Sequence, residues 1–317
     1  MSTTGPRLPV ELERKVFEIA AAFHPGSIAA FLLVAQRVRI WLEPLLYETL
    51  SVSQYYDDEK FRWVHSHHPF GYYWGDLERL KSAQFFHDNV RHLHLYQRNG
   101  DAATEKFLTG IILRCGSVTD LALDFSGLSM PQAVIAGLPL QRLSINSEWM
   151  TRHEKAAFSW SSFTHLTHLN IIDWHGDTWD LAWSWLALLP CLTHLSFYDD
   201  MIPDDLCLGA LKHCRLIEVL AIVWPTQGIT RIQPVSPALR TEPRFVVVGI
   251  CGQHKEDWER GARGGEDHWV VAEALVERRL SGETEDYLAH TICAQSCGTS
   301  CTCKLKAYNL QPNCAIQ

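Results

Sequence analysis

The chain has 317 residues, enough for one large domain or two ordinary ones. Hydrophobic residues make up 47% of it and charged residues 20%, a globular composition that argues against a disordered protein. The formal net charge is -8 and no block of Lys or Arg occurs, so we expect no nucleic-acid partner held by phosphate neutralisation.

The sequence gives no sign of a membrane or secretory protein. Its longest unbroken apolar run, 28–35, is too short to cross a bilayer, and we expect no membrane partner. The N-terminus lacks the basic and apolar regions of a signal peptide, and no Asn-x-Ser/Thr sequon occurs. We therefore expect a cytoplasmic or nuclear protein, or one found in both, with mostly reduced thiols.

Residues 1–52 are expected to form a three-helix domain. Pro9 suits a first helical turn, since its missing N–H would be unpaired there anyway. A Pro-Gly-Ser break at 25–27 then separates this helix from a second over 28–34, which Ser27 can cap. A third helix is expected over 36–46. Its inward-facing residues would be Val38, Trp41, Leu42 and Leu45.

This segment resembles an F-box. The matching residues are Leu8-Pro9-x-Glu11-Leu12, Val16-Phe17, Leu32-Leu33-Val34, Val38, Trp41 and Leu45-Leu46-Tyr47. The Trp is displaced from its usual place in the family pattern, and no Arg follows it. The resemblance implies a surface for the small adaptor subunit of a Skp–cullin–F-box ubiquitin ligase. It would be formed or supported by Leu8, Pro9, Leu12, Val16, Phe17, Val34, Val38 and Trp41. The alternative is a helical cap on the domain that follows.

Residues 53–89 are expected to connect this domain to the next one. They are crowded with aromatic residues, too apolar for a free linker, and we expect them to pack on the first repeats. His65, His67 and His68 lie close together, but no second ligand pair at metal spacing accompanies them.

Six copies of an apolar-x-x-Leu-x-apolar pattern follow. They lie at 90–95, 118–123, 140–145, 166–171, 192–197 and 217–222. These intervals match leucine-rich repeats, in which each repeat supplies a strand and a returning helix. The expected fold class is α/β. We expect a three-helix F-box-like bundle, then an irregular leucine-rich-repeat solenoid with a parallel sheet over 90–250. The whole resembles the F-box-like repeat proteins abundant in mushroom-forming fungi.

Strand alternation divides each repeat between two faces. The repeated Leu and Ile residues point inward, and the residues between them stand on the concave face. We expect that face to bind a client protein. Its candidate residues are His92, His94, Tyr96, Asp120, Asp124, Arg142, Asn146, His168, Asn170, His194 and Tyr198. Neighbouring strands are about 4.8 Å apart, so His168 and His194 should be neighbours. Alternatively, these residues are polar only because they are solvated.

The C-terminal part divides at about residue 285. We expect a buried strand over 245–250 and a cap over 251–285, whose helix spans 268–280. The Gly-rich stretch at 257–267 lacks the dinucleotide-binding spacing. Residues 286–317 form a Cys-rich tail that we expect to be flexible. Zinc binding there is an open alternative, but the cysteines lack the usual second pair, and we expect no metal and no cofactor.

No hydrolase, nucleotide-binding or metalloprotease motif occurs, so we expect a binding protein and not an enzyme. The expected function is that of a substrate-recognition adaptor of a ubiquitin ligase. The alternative is a leucine-rich-repeat scaffold with no ligase role. The client protein itself cannot be read from the sequence.

Overall fold

The computed structural model describes residues 8–57, 60–65, 74–97, 102–125, 132–146, 162–172, 186–198, 202–225, 235–250 and 252–290. Over these ranges the chain is an α/β protein. The helices are α1 (Val10–Phe23), α2 (Ile28–Phe31), α3 (Gln36–Leu42), α4 (Trp74–Leu80), α5 (Ala83–Asn89), α6 (Ala102–Arg114), α7 (Gln132–Ala136), α8 (Asp204–His213), α9 (Pro237–Thr241), α10 (His254–Ala262) and α11 (His268–Leu280). None of these helices combines the length and the apolar character that a membrane span requires.

The strands are β1 (Thr49–Asp57), β2 (Lys60–His65), β3 (His92–Gln97), β4 (Asp120–Phe125), β5 (Arg142–Asn146), β6 (His168–Ile172), β7 (His194–Tyr198), β8 (Val219–Pro225), β9 (Phe245–Ile250) and β10 (Leu288–His290). The chain divides into two compact units. The first contains Met1–Leu195 and Gly209–Ile217, with strand order β7-β6-β5-β4-β3-β1-β2. The second contains Ser196–Leu208 and Glu218–Gln317, with strand order β10-β9-β8-β7. The boundary between the units passes through β7.

Each of the six repeats contains one strand, which confirms the expected sheet. The strands β3 to β6 are parallel and in register, so that Leu93 pairs with Leu121, and Leu143 with Leu169. These leucines are all buried. Each strand begins two residues after its repeat does. The repeat spacing therefore predicts the register as well as the strands.

Besides β9, which was expected, three strands lie outside the six repeats. β1 begins before the boundary expected at 52/53, runs parallel to β3 and pairs antiparallel with β2. The segment expected to be a connection thus contributes two strands, and it also contains α4 and α5. β10 lies within the expected tail and pairs with β9, so β9 is not the last strand. These strands were missed because none of them carries the repeat pattern.

The N-terminal helices share one small core. Ala21 of α1, Ile28 of α2, and Val38 and Leu42 of α3 are buried together. α2 is shorter than expected, and Ser27 makes no side-chain hydrogen bond to cap it. α3 ends at Leu42 and a short 3₁₀ turn follows, because a proline at 44 has no N–H to continue an α-helix.

Contacts also join this helical region to the segment after it. Lys81 Nζ lies 2.9 Å from a carboxylate oxygen of Glu43. The rings of Tyr47 and Phe85 meet edge to face at 5.0 Å. Burial alone would raise the pKa of Glu43, but the hydrogen bonds and charges of Lys81 and Arg39 outweigh it and lower that pKa. Contacts with the following segment therefore help to stabilise the N-terminal helices, which are too few to form a large core of their own.

In the second unit a helix packs on one face of the strands. α11 has the bounds expected from the sequence, and its N-terminus is capped by Asp267, which accepts from two backbone N–H groups. Its apolar side packs on a cluster of strand residues. Those from β8 are Val219, Ala221 and Val223. Counted from the first residue of the repeat at 217, these are the third, fifth and seventh residues. We expected side chains at these positions to face solvent, but in this unit α11 covers that face of the strands.

Candidate functional site

The largest concentration of exposed apolar side chains lies on the N-terminal helices. Among the described residues, nine of the fifteen exposed large hydrophobic side chains fall within residues 8–40. They are Leu8, Val10, Leu12, Val16, Ile19, Phe23, Leu33, Val34 and Ile40. Single exposed apolar residues are normal, but a concentration like this one is typical of an interaction surface.

Five of these residues follow one stripe along the first helix. They are Leu8, Leu12, Val16, Ile19 and Phe23, which are spaced by three or four residues. The opposite side of α1 carries Phe17 and Ala21, which pack into the small core. The helix thus has two apolar sides, one inside the core and one in solvent. Packing of the small core explains why the inner side of α1 is apolar, but it does not explain the apolar residues on the exposed side.

An ion pair fixes the orientation of α1 on α3. Arg37 donates two hydrogen bonds to Glu13, from its Nε at 3.0 Å and from a terminal nitrogen at 2.7 Å. Such a fork-to-fork pair constrains direction as well as distance. The exposed stripe is therefore presented by a helix held from its other side.

The eight residues that the F-box resemblance implies divide between these two sides. Leu8, Pro9, Leu12, Val16 and Val34 are exposed. Val38 is buried in the core, and Phe17 and Trp41 pack against it. The five exposed residues are accessible to a partner, as a binding surface requires. The other three belong to the core on which the exposed residues are held.

The eleven residues proposed to bind a client differ more from expectation. Five are buried, namely His94, Asp120, Asn146, Asn170 and His194. The other six are partly exposed, namely His92, Tyr96, Asp124, Arg142, His168 and Tyr198. The expectation that all of them stand in solvent is wrong for the buried five.

The buried polar residues have polar neighbours on adjacent strands. His94 Nδ1 lies 3.0 Å from the hydroxyl of Ser51 on β1. Asn170 donates to Ser144 Oγ at 3.5 Å. These residues are polar because they pair across strands, and not because water covers them.

The third repeat positions form a polar ladder across four strands of the first unit, β3 to β6. His92, Asp120, Arg142 and His168 stand side by side in the strand register. Asp120 Oδ2 lies 3.6 Å from His92 Nδ1 and 3.5 Å from Arg142 Nε. The buried carboxylate thus lies between two cationic or potentially cationic neighbours, as a buried charge requires.

The ladder ends in a pair of stacked histidines, as the sequence predicts. The rings of His168 and His194 are parallel to within 15°, and their centroids are 4.1 Å apart. Burial, together with the nearby charge of Arg142, lowers the pKa of His194 to about 4. His194 is therefore neutral at physiological pH.

A serine, a histidine and an aspartate are aligned in the second unit. Ser196 Oγ lies 3.4 Å from His268 Nε2, and His268 Nδ1 lies 2.6 Å from Asp257 Oδ2. This order of contacts is that of a hydrolase triad. All three side chains are buried, however, so a substrate carbonyl cannot reach the hydroxyl in this conformation.

The same three residues account for how α11 is held. Asp257 Oδ2 also accepts from the backbone N–H of His268, and Arg260 lies 3.5 Å from the other oxygen of that carboxylate. Gly261 is required beside them, because a Cβ there would lie only 2.0 Å from Asp267 Oδ2. These contacts fix the start of α11 to α10 and to β7. Sequence reasoning missed this group, since its members are far apart in the chain.

The cysteines fall into two groups. Cys115, Cys207 and Cys214 are buried free thiols, and Cys191 is an exposed free thiol. Burial raises the pKa of Cys115 to about 12 and that of Cys214 to about 11. The tail cysteines expected as a possible zinc site lie outside the described residues, as do His67 and His68.

Comparison with known proteins returned no family: no family model matches the chain, and no curated protein matches it.

Proposed function

We propose that this protein is the substrate-recognition adaptor of a ubiquitin ligase of the Skp–cullin–F-box type. In this proposal the N-terminal helices bind the small adaptor subunit, and the strand-bearing part holds a client protein. The chain then raises the effective concentration of the client near the ligase and supplies no catalytic group.

The observation that carries the proposal is the exposed stripe on α1. It places Leu12 and Val16, two residues of the F-box-like pattern, in solvent on a helix whose other side is already packed. A helix with an unsatisfied apolar side is suited to lie against a groove or another helix. Burying five such side chains is the kind of contact that supplies most of the energy of a stable interface.

The proposed client surface contains fewer residues than the sequence suggests. In the first unit the partly exposed members of the candidate set are His92, Tyr96, Asp124, Arg142 and His168. They combine aromatic rings with charges of both signs, a composition common at protein interfaces.

The proposal is tested by affinity capture of the full chain from cells that co-express the adaptor subunit. We expect Leu12→Asp and Val16→Asp to remove the adaptor, because a charge would be buried in the interface. Leu113→Asp is the matched control, since Leu113 is 66% exposed on α6 and Leu12 is 54% exposed on α1. Far-UV circular dichroism checks that each variant is folded.

If the wild-type chain captures no adaptor, or if Leu12→Asp captures as much as Leu113→Asp, the proposal is wrong. The chain would then be a repeat scaffold with no ligase role, whose N-terminal helices only cover the rest of the protein.

A further inference from the structure

A partly buried lysine joins the N-terminal helices to the elements that follow them in the first unit. Lys81 lies between α4 and α5, and its backbone N–H donates to the carbonyl oxygen of Leu77 in α4 at 2.9 Å. Its Nζ lies 2.9 Å from a carboxylate oxygen of Glu43, which directly follows α3. Among the lysines and arginines in the ion pairs of the described residues, Lys81 has the least exposed side chain, at 16%. Its charge is therefore screened less by water and salt than the charges of the others.

The same ammonium group also lies over two aromatic rings. Its Nζ is 4.6 Å from the ring centroid of Phe85 in α5 and 5.6 Å from that of Tyr47. An aromatic ring attracts a cation placed over its face, and the attraction is stronger where water is excluded. Tyr47 is buried and Phe85 is partly exposed. A neutral side chain at position 81 would lose both the ion pair and the attraction to the rings.

The segment that carries this lysine is itself packed on the first repeat. The ring of Phe86 in α5 stacks on the ring of Trp74 in α4, with centroids 5.1 Å apart, and both side chains are fully buried. Arg114, the last residue of α6, lies 3.4 Å from a carboxylate oxygen of Glu78 in α4. The ammonium group therefore meets the N-terminal helices from a fixed position.

The backbone between the N-terminal helices and the strands is short. The 3₁₀ turn ends at Leu46 and β1 begins at Thr49, so only residues 47 and 48 connect them. The carbonyl oxygen of Glu48 accepts from the backbone N–H groups of Arg91 and His92, which fixes the chain from this residue onward. Any rotation of the helices relative to the strands must therefore occur close to residue 47.

We propose that Lys81 holds a hinge at residues 46–48 closed. When the charge of this side chain is removed, α1, α2 and α3 rotate about the hinge as one body. They stay together because their common core and the ion pair between Arg37 and Glu13 do not involve Lys81. A few residues that connect two elements can absorb such a rotation. The stripe on α1 then changes its orientation relative to the strands, an inference that does not depend on the proposed ligase role.

The test is hydroxyl-radical footprinting of the full chain with Lys81→Met, which keeps a long side chain and removes its charge. We expect the population of the open hinge to rise roughly tenfold, so that Tyr47 is oxidised more than in the wild type. Leu42 in the small core should stay protected, because the helices remain folded. Lys106→Met is the matched control, since Lys106 is exposed on α6, and it should change neither residue.

Two further variants separate the charge from the packing of the side chain. Glu43→Gln removes only the partner charge and should expose Tyr47 less strongly, because the ring contacts remain. Lys81→Arg keeps the charge and should keep Tyr47 protected. Equal oxidation of Tyr47 in Lys81→Met and Lys106→Met would overturn the proposal. Increased oxidation of Leu42 in Lys81→Met would also overturn it, because the helices would then unfold and not rotate.

Discussion

The N-terminal helices and the strands of the first unit place their side chains in opposite ways. On α1 the large apolar side chains Leu12, Val16 and Phe23 lie in solvent. On the strands the polar side chains His94, Asp120 and Asn170 are buried. Both arrangements cost free energy in an isolated fold, since burial favours apolar groups and disfavours polar ones. The strands offset that cost with pairing inside the chain, whereas the stripe on α1 is exposed in the part of the chain that the structure describes, which is why we propose the partner site there.

The largest effect is expected at the buried polar group of the second unit. His268→Ala removes the partner of Asp257 and leaves a fully buried carboxylate with fewer contacts. Removing one partner of a buried carboxylate typically costs about 3–5 kcal/mol of unfolding free energy. Urea denaturation of His268→Ala should show a loss of this size, and the exposed control His213→Ala should show almost none. If His268→Ala leaves the free energy of unfolding unchanged, the contact between His268 and Asp257 does not stabilise this unit.

The next effect compares the two sides of the N-terminal helices. Leu42→Ala creates a cavity in the small core, which should cost about 2–5 kcal/mol. Leu12→Ala removes an exposed side chain, so the change should stay within about 0.5 kcal/mol. Hydrogen exchange of the α1 and α3 amides measures both variants in the same region. Equal protection in the two variants would show that Leu12 is a core residue and not part of a binding surface.

A smaller effect is expected from acid. The pKa of His194 is about 4 in the folded chain, against an ordinary value of 6.5. Between these values the unfolded chain binds a proton that the folded chain does not, so stability falls as pH drops from about 6.5 to about 4. His194→Gln should reduce the slope of unfolding free energy against pH across that window. If the slope is unchanged, other titratable groups cause the pH dependence of stability in this range.

The smallest effect is a difference in thiol reactivity within the first unit. Cys191 is exposed, whereas burial raises the pKa of Cys115 to about 12 and leaves little thiolate at neutral pH. Iodoacetamide should therefore label Cys191 and spare Cys115 in the native chain, as read by peptide mass spectrometry. Similar labelling of both would mean that the strand-bearing part opens readily.

The repeat pattern was sufficient to predict much of the sheet. One Leu in each copy marks a buried strand, and the corresponding places of His168 and His194 in two successive copies bring the two rings together. β1 and β10 could not be found in this way, because their residues do not repeat and strand pairing alone places them. The bounds of α11 were predictable because its cap and its apolar spacing are local signals.

The candidate sites were less predictable than the fold. Alternation assigns a side chain to a face, but it does not reveal whether another element covers that face. Asp120 and Asn170 were expected in solvent and are buried, each against a polar residue of a neighbouring strand.

The most direct test of the adaptor proposal is hydroxyl-radical footprinting of the full chain with and without saturating adaptor subunit. Side-chain oxidation would be read at Leu12, Val16 and Leu113. We predict that the adaptor protects Leu12 and Val16 strongly and leaves Leu113 unchanged. If all three are oxidised equally in the two samples, the exposed stripe of α1 is not the adaptor site and the proposed function fails.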